Sequence, residues 1–184
     1  SGSDRIASIA NLVLTNAQSV SEIGALLSRS IASAAADGRM ARVDATVMDA
    51  AKLSAIATHA SRLEADGITG NVLLPGSLAE AALGALLPRI APDATARLDG
   101  NGLGNGGIAL VVAHIGRVDS AFALSLSASQ TAAELGLLLG LSDLASASVD
   151  ATAMDSASAG QLAALADHHA RIRDGGISGA LAID

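Results

Sequence analysis

The chain contains no cysteine, tryptophan or tyrosine, and one phenylalanine among its 184 residues. The missing cysteines exclude disulfides and thiolate metal sites. The missing aromatics exclude a pocket that grips a flat ligand between ring faces. Lysine occurs once, at Lys52, and the net charge is −7. Without a basic footprint or stacking aromatics, the chain is not built for nucleic acid or for an anionic membrane surface. Apolar runs such as Leu135 to Leu141 fall far short of the roughly 20 residues a membrane span requires, so no membrane insertion is expected.

What is present is repetition. Val43-Asp44-Ala45-Thr46-Val47-Met48-Asp49 returns as Val149-Asp150-Ala151-Thr152-Ala153-Met154-Asp155. Lys52-Leu53 through His59 then aligns with Gln161-Leu162 through His168 after a two-residue insertion, and Gly67-Ile68-Thr69-Gly70 with Gly176-Ile177-Ser178-Gly179. Such self-similarity marks an array of structural units. Short extended segments begin near Asn11, Arg42, Asn71, Thr95, Ala123, Ser148 and Ala180, at spacings of 31, 29, 24, 28, 25 and 32 residues. The mean, about 28, is what a strand, a turn, a three-turn helix and a return loop occupy. Hydrophobic residues make up 51% of the chain, and with so few aromatics the interior must be built from Ala, Leu, Ile and Val. Small side chains let stacked layers approach closely.

Helix signals fall between the strands. Ser19-x-x-Glu22, Ser77-x-x-Glu80 and Thr131-x-x-Glu134 have capping-box spacing, and Asp49 and Asp155 can cap alone. Asp37-Gly38, Asp66-Gly67 and Asp174-Gly175 are expected to stop helices through a left-handed glycine. Apolar stripes at helical spacing include Ile23, Leu26, Leu27 and Ile31, and Leu53, Ile56, Ala60 and Leu63.

Strand patterning decides between two α/β architectures. A sheet covered on both faces has strands that read as continuous apolar runs. Here Val43 and Ala45, Ala96 and Leu98, Leu124 and Leu126, and Val149 and Ala151 alternate with Asp44, Arg97, Ser125 and Asp150. Polar mid-strand positions predict one wet face. The expected fold is a right-handed β/α solenoid, its parallel sheet covered by helices on one face, with about six repeats of about 28 residues. Val13, Leu73 and Ala182 are expected to point outward as apolar spots. Residues 1–3 read as a cloning scar. Residues 4–184 read as a single β/α repeat domain, a fragment of a longer array that lacks a capping repeat after the final strand.

The pattern VDATxMDxxxLxxLAxxxxxIxDGGIxG, covering residues 43–74 and 149–183, resembles leucine-rich-repeat-like units of giant secreted bacterial surface and adhesin-type proteins. The resemblance implies an extracellular or cell-surface location, against a cytoplasmic alternative, and a structural or adhesive role without catalytic residues. Partners would be flanking repeats, a second copy, or a surface protein or glycan. On the open sheet face, Asp44, Leu73, Arg97, Ser125, Asp150 and Thr152 are the binding candidates.

The alternative site is the loop 99–107, whose Gly102-x-Gly104-x-x-Gly107 has the spacing of a dinucleotide fingerprint. That fingerprint needs an acidic residue ending the next strand, and the strand near Ala123 ends in serine and alanine. Calcium is the one cofactor the loop could take, through Asp99 and Asn101, although such sites want six to eight oxygens and usually several carboxylates. His168-His169 is expected to be a solvated histidine beside a partly buried one at His169, because adjacent helical residues point about 100° apart and rarely share an ion. No Gly-x-Ser-x-Gly elbow occurs, and Asp44 and Asp150 lie four repeats apart, too far for paired carboxylate chemistry. No catalysis is expected.

Overall fold

The protein is mixed α/β, as seen in a computed structural model that describes residues 12–37, 40–141, 144 and 146–179. The expected segment 180–184, residues 1–3 and Gly38 lie outside the described residues. The elements run β1 (Val13–Leu14), α1 (Val20–Asp37), β2 (Ala41–Asp44), α2 (Ala50–Thr58), β3 (Leu63–Thr69) and β4 (Asn71–Leu74). Then follow α3 (Glu80–Leu86), β5 (Thr95–Asp99), α4 (Asn105–Ala113), β6 (Ser120–Phe122) and β7 (Leu124–Ser127). Last come α5 (Ala132–Leu139), β8 (Ala147–Asp150), α6 (Ala159–Asp167) and β9 (Ile172–Ser178). The chain divides into two compact units, residues 1–73 with 78–96 and residues 74–77 with 97–184.

Within each unit the strands buckle inward and outward as the alternation requires. In the first unit Ala41, Val43 and Ala45 on β2 and its exit are at most 1% exposed, while Arg42 is open to solvent. In the second, Leu124, Leu126, Ala147, Val149 and Ala151 are buried, while Ser125 and Asp150 are exposed. Val13 and Leu73 do point outward, at 52% and 46% exposure. Aliphatic side chains of the helices close the core: Ile23, Leu27, Leu53, Ile56, Leu83 and Leu86 in one unit, Ile108, Val111, Leu135, Leu138 and Leu139 in the other. Consecutive helices pack on each other within each unit, α1 on α2 and α2 on α3, then α4 on α5 and α5 on α6.

The expected single sheet is instead three three-stranded sheets, ordered β1-β2-β3, β4-β5-β6 and β7-β8-β9. Their resolved pairings are all parallel. Single residues divide them. Gly70 alone separates β3 from β4 with φ +85°, Ala123 alone separates β6 from β7 with φ +54°, and Gly179 follows β9 with φ +90°. A ladder needs φ near −120°, so a left-handed residue ends one set of pairings and re-aims the strand for the next.

The same elements show a longer period. The breaks at residues 70, 123 and 179 are 53 and 56 residues apart. Two kinds of strand-to-helix turn recur. After β2, β5 and β8, Asp44, Asp99 and Asp150 each accept the amide two residues on, at 3.1, 3.0 and 2.9 Å. A left-handed residue follows: Val47 (φ 61°), Gly102 (φ 86°) and Ala153 (φ 70°). After β1 and β7 the turn closes differently, with the amides of Thr15 and Ser127 donating to Gln18 and Gln130 Oε1, both at 2.7 Å. Capping boxes Ser19–Glu22 and Thr131–Glu134 then start α1 and α5. The stretches 12–70 and 124–179 thus each pair two unlike β/α turns, while the turn after β4 has Pro75-Gly76 and no glutamine closure.

Two expected local signals are corrected by the structure. Ser77-x-x-Glu80 makes no capping box, because α3 starts from Ala79, which lacks a side-chain cap. Asp66-Gly67 and Asp174-Gly175 stop no helix. They lie inside β3 and β9 as bulges, where register jumps from Ala41↔Leu63 to Val43↔Ile68, and from Ala147↔Ile172 to Val149↔Ile177. Asp66 and Gly175 supply the left-handed turn (φ 43° and 66°). The following Gly67 and Gly176 leave no room for a Cβ, which would lie 2.9 Å from Glu64 O and 2.7 Å from Arg173 O. The helices α2, α4 and α6 stop instead at His59, His114 and His168, each followed by a 3-10 turn ending in Arg62, Arg117 or Arg171.

Candidate functional site

The outward residues of each unit form its candidate surface. In the first unit, Asp44 is half-buried at the end of β2. Its Oδ1 accepts the Thr46 hydroxyl at 2.6 Å and the Thr46 amide at 3.1 Å. Those two bonds, the hydroxyl's first, hold the carboxyl below its ordinary 3.8. Thr46 Oγ1 in turn accepts the Asn71 amide at 3.1 Å. Asp44 is thereby committed to its turn. Beside it, Arg42 Nε lies 3.3 Å from Glu64 Oε2 in an exposed ion pair.

In the second unit, Thr152 holds Asp150 below its ordinary 3.8 in the same way, by its hydroxyl and then its amide. Asp150 and Thr152 are thus brought together. Arg97 lies 5.4 Å over the Phe122 ring, a cation–π contact at the edge of useful range. Ser125 Oγ lies 3.4 Å from Ser148 Oγ across the β7–β8 pair. These serines help line a shallow depression of about 170 Å³ with Asn101, Ser146 and Arg173. Sequence reasoning passed over Ser146, Ser148 and Arg173. Alternating serines near Ser148 were the available signal for the first two. Arg173 sits on a strand the periodicity did not reveal.

Turns are stitched to one another by side chains at matching places. Lys52 Nζ donates to Asn16 O and Asn16 Oδ1, both at 2.7 Å. Gln161, at the equivalent position, donates from Nε2 to Ala128 O at 3.1 Å and to Gln130 O. Arg89 donates to Leu63 O at 3.0 Å, and Arg171 to Leu141 O at 3.3 Å.

The loop 99–107 has the same Asx turn as its counterparts, with the Asp99 Oδ1 accepting the Asn101 amide. Close packing requires glycine at Gly100 of this loop and at Gly76 in the turn after β4. A Cβ on Gly76 would lie 2.7 Å from Asp99 O and closer still to Asn101 O, and one on Gly100 would meet Leu124. Gly104 starts α4 without a side-chain cap. Among the described residues no three His, Cys, Asp or Glu side chains gather as metal ligands. His169 is exposed and His168 half-buried, the reverse of the expected order; His169 Nδ1 lies 2.9 Å from Ala166 O. No helix among the described residues is long and apolar enough to cross a membrane. Comparison with family models, with curated proteins and with solved structures finds no match for this chain.

Proposed function

We propose that the protein is a non-catalytic, structural or adhesive repeat module of a large surface or secreted bacterial protein, a right-handed β/α solenoid whose outward strand face is its working surface. The observation that carries this reading is the recurrence of one turn at Asp44, Asp99 and Asp150, each with an inward-facing strand before it. Repetition of a whole supersecondary unit, with side chains such as Lys52 and Gln161 stitching neighbouring turns, is the construction of an array. Asp44 and Asp150 act as turn residues in it. The outward positions left for binding are Leu73, Arg97 and Ser125, with Thr152 beside them.

In an array, stability is a sum of unit and nearest-neighbour contributions, so damage stays local. Hydrogen exchange on a Leu27→Ala variant is the test. Protection should fall in β1, α1 and β2 and stay at wild-type levels in α5, α6 and β8. Equal loss throughout would show one global cooperative core and overturn the proposal.

A further inference from the structure

Equivalent places in the two units carry opposite solutions to the same problem. Ala41 pairs with Leu63 and Ala147 with Ile172, so the outward neighbours Arg42 and Glu64 correspond to Ser148 and Arg173. Val13, paired with Arg42, corresponds to Ser125, paired with Ser148. In the first unit these positions close on themselves as the Arg42–Glu64 ion pair at 3.3 Å beside an apolar Val13. In the second the carboxylate is replaced by a guanidinium and its partner by a hydroxyl. Among the described residues Arg173 has no ion-pair or hydrogen-bond partner. It lines the depression together with Ser125, Ser146, Ser148 and Asn101.

We infer that this depression binds one carboxylated sugar residue of a glycan, Arg173 taking the carboxylate and the serines and Asn101 the ring hydroxyls, a single-carboxylate contact that needs no wider basic footprint. A guanidinium matches a carboxylate through two parallel N–H donors. Hydroxyl and amide groups both donate and accept, which is what sugar hydroxyls require. A space of about 170 Å³ is below the roughly 300 Å³ of a pocket for a drug-sized ligand. It suits one residue of a longer chain lying along the open face. The inference rests on the proposal that the outward strand face is the working surface, and deepens it by naming a ligand class.

The test is titration of tetragalacturonate into the full chain, followed by calorimetry and by NMR shifts. Saturable binding is expected, with shifts centred on Ser125, Ser148 and Arg173 and weakening as salt rises. The double variant Ser148→Arg/Arg173→Glu rebuilds the ion pair that already folds at Arg42 and Glu64. It should keep the wild-type melting temperature and bind about tenfold more weakly or worse, as expected when a charge-assisted pair is lost. The fully methyl-esterified tetramer should not bind. Absence of saturable binding, equal binding by the ester, equal binding by the double variant, or tighter binding of hexaglutamate would each overturn the inference. Local loss of exchange protection in Leu27→Ala, with no sugar binding, would sink this inference and leave the array reading in place.

Discussion

Val47 should be a source of strain that a single substitution removes. Its φ of 61° is left-handed, a conformation that costs an L-residue about 1–2 kcal/mol and suits a β-branched one least. The residue is 77% exposed, so truncation gives up little burial. Replacing it with glycine removes the strain but adds freedom to the unfolded chain, a loss of about 0.4–1 kcal/mol. The balance favours Val47→Gly by about 0.5–1 kcal/mol, or roughly 1–4 °C in melting temperature for a chain of this size. The reciprocal change isolates the backbone contribution. Gly102 stands at the matching place with φ 86°, and a Cβ there would meet only Gly76 O at 3.9 Å. Gly102→Val should therefore destabilise by a similar amount without a clash. Urea unfolding of both variants, with unchanged m-values, is the assay. If Val47→Gly loses stability, or Gly102→Val is neutral, the left-handed turn is not strained as argued.

Three further outcomes follow from the same geometry. Asp44 and Asp150 are held below their ordinary 3.8 in the folded chain, so near that pH the unfolded chain binds more protons. Their contribution is full above about pH 3.8 and is lost as pH falls through the folded pKa. Urea melts from pH 7 to 2.5 should show a shallower acid decline in Thr46→Val/Thr152→Val than in wild type; parallel declines would contradict the assignment. Lys52→Gln should be tolerated because Gln161 already does that work by a neutral amide, whereas Lys52→Ala should cost about 0.5–1.5 kcal/mol by thermal melt. Ser120 is buried, and its hydroxyl has no partner among the described residues. Ser120→Ala should accordingly raise stability by about 1 kcal/mol, and a fall would reveal a bond to that hydroxyl.

Strands whose two faces differ were legible in the chain. Val43 against Asp44, and Leu124 against Ser125, carry the period-two signal that burial then obeys. Caps were legible where the hydroxyl stands at the true start, as at Ser19 and Thr131. The pattern at Ser77 misled because Gly76 lies tight against the backbone of Asp99 and Asn101 and the helix starts at Ala79. β3 and β9 went unseen, since bulges at Asp66-Gly67 and Asp174-Gly175 break alternation and mimic helix stops. The depression was hidden for the same reason: only the pairing of Ile172 with Ala147 places Arg173 beside Ser148. Alternation of turn types was written in Gln18 and Gln130 against Asp44, Asp99 and Asp150. It disappeared into an average spacing near 28 residues.

The left-handed breaks at Gly70, Ala123 and Gly179 also set how such a chain can grow or shrink. A duplication from one break to the next adds both turn types and leaves every strand limb with its neighbour. One of half that length would set like turns side by side, placing an Asp44-type turn where the Gln18 type must take the stitch from Lys52 or its counterpart. The heritable unit of this architecture would therefore be the stretch between breaks, of which residues 124–179 carry both turn types, the Gln130 closure and the Asp150 turn. Changes in array length should come in steps of that stretch.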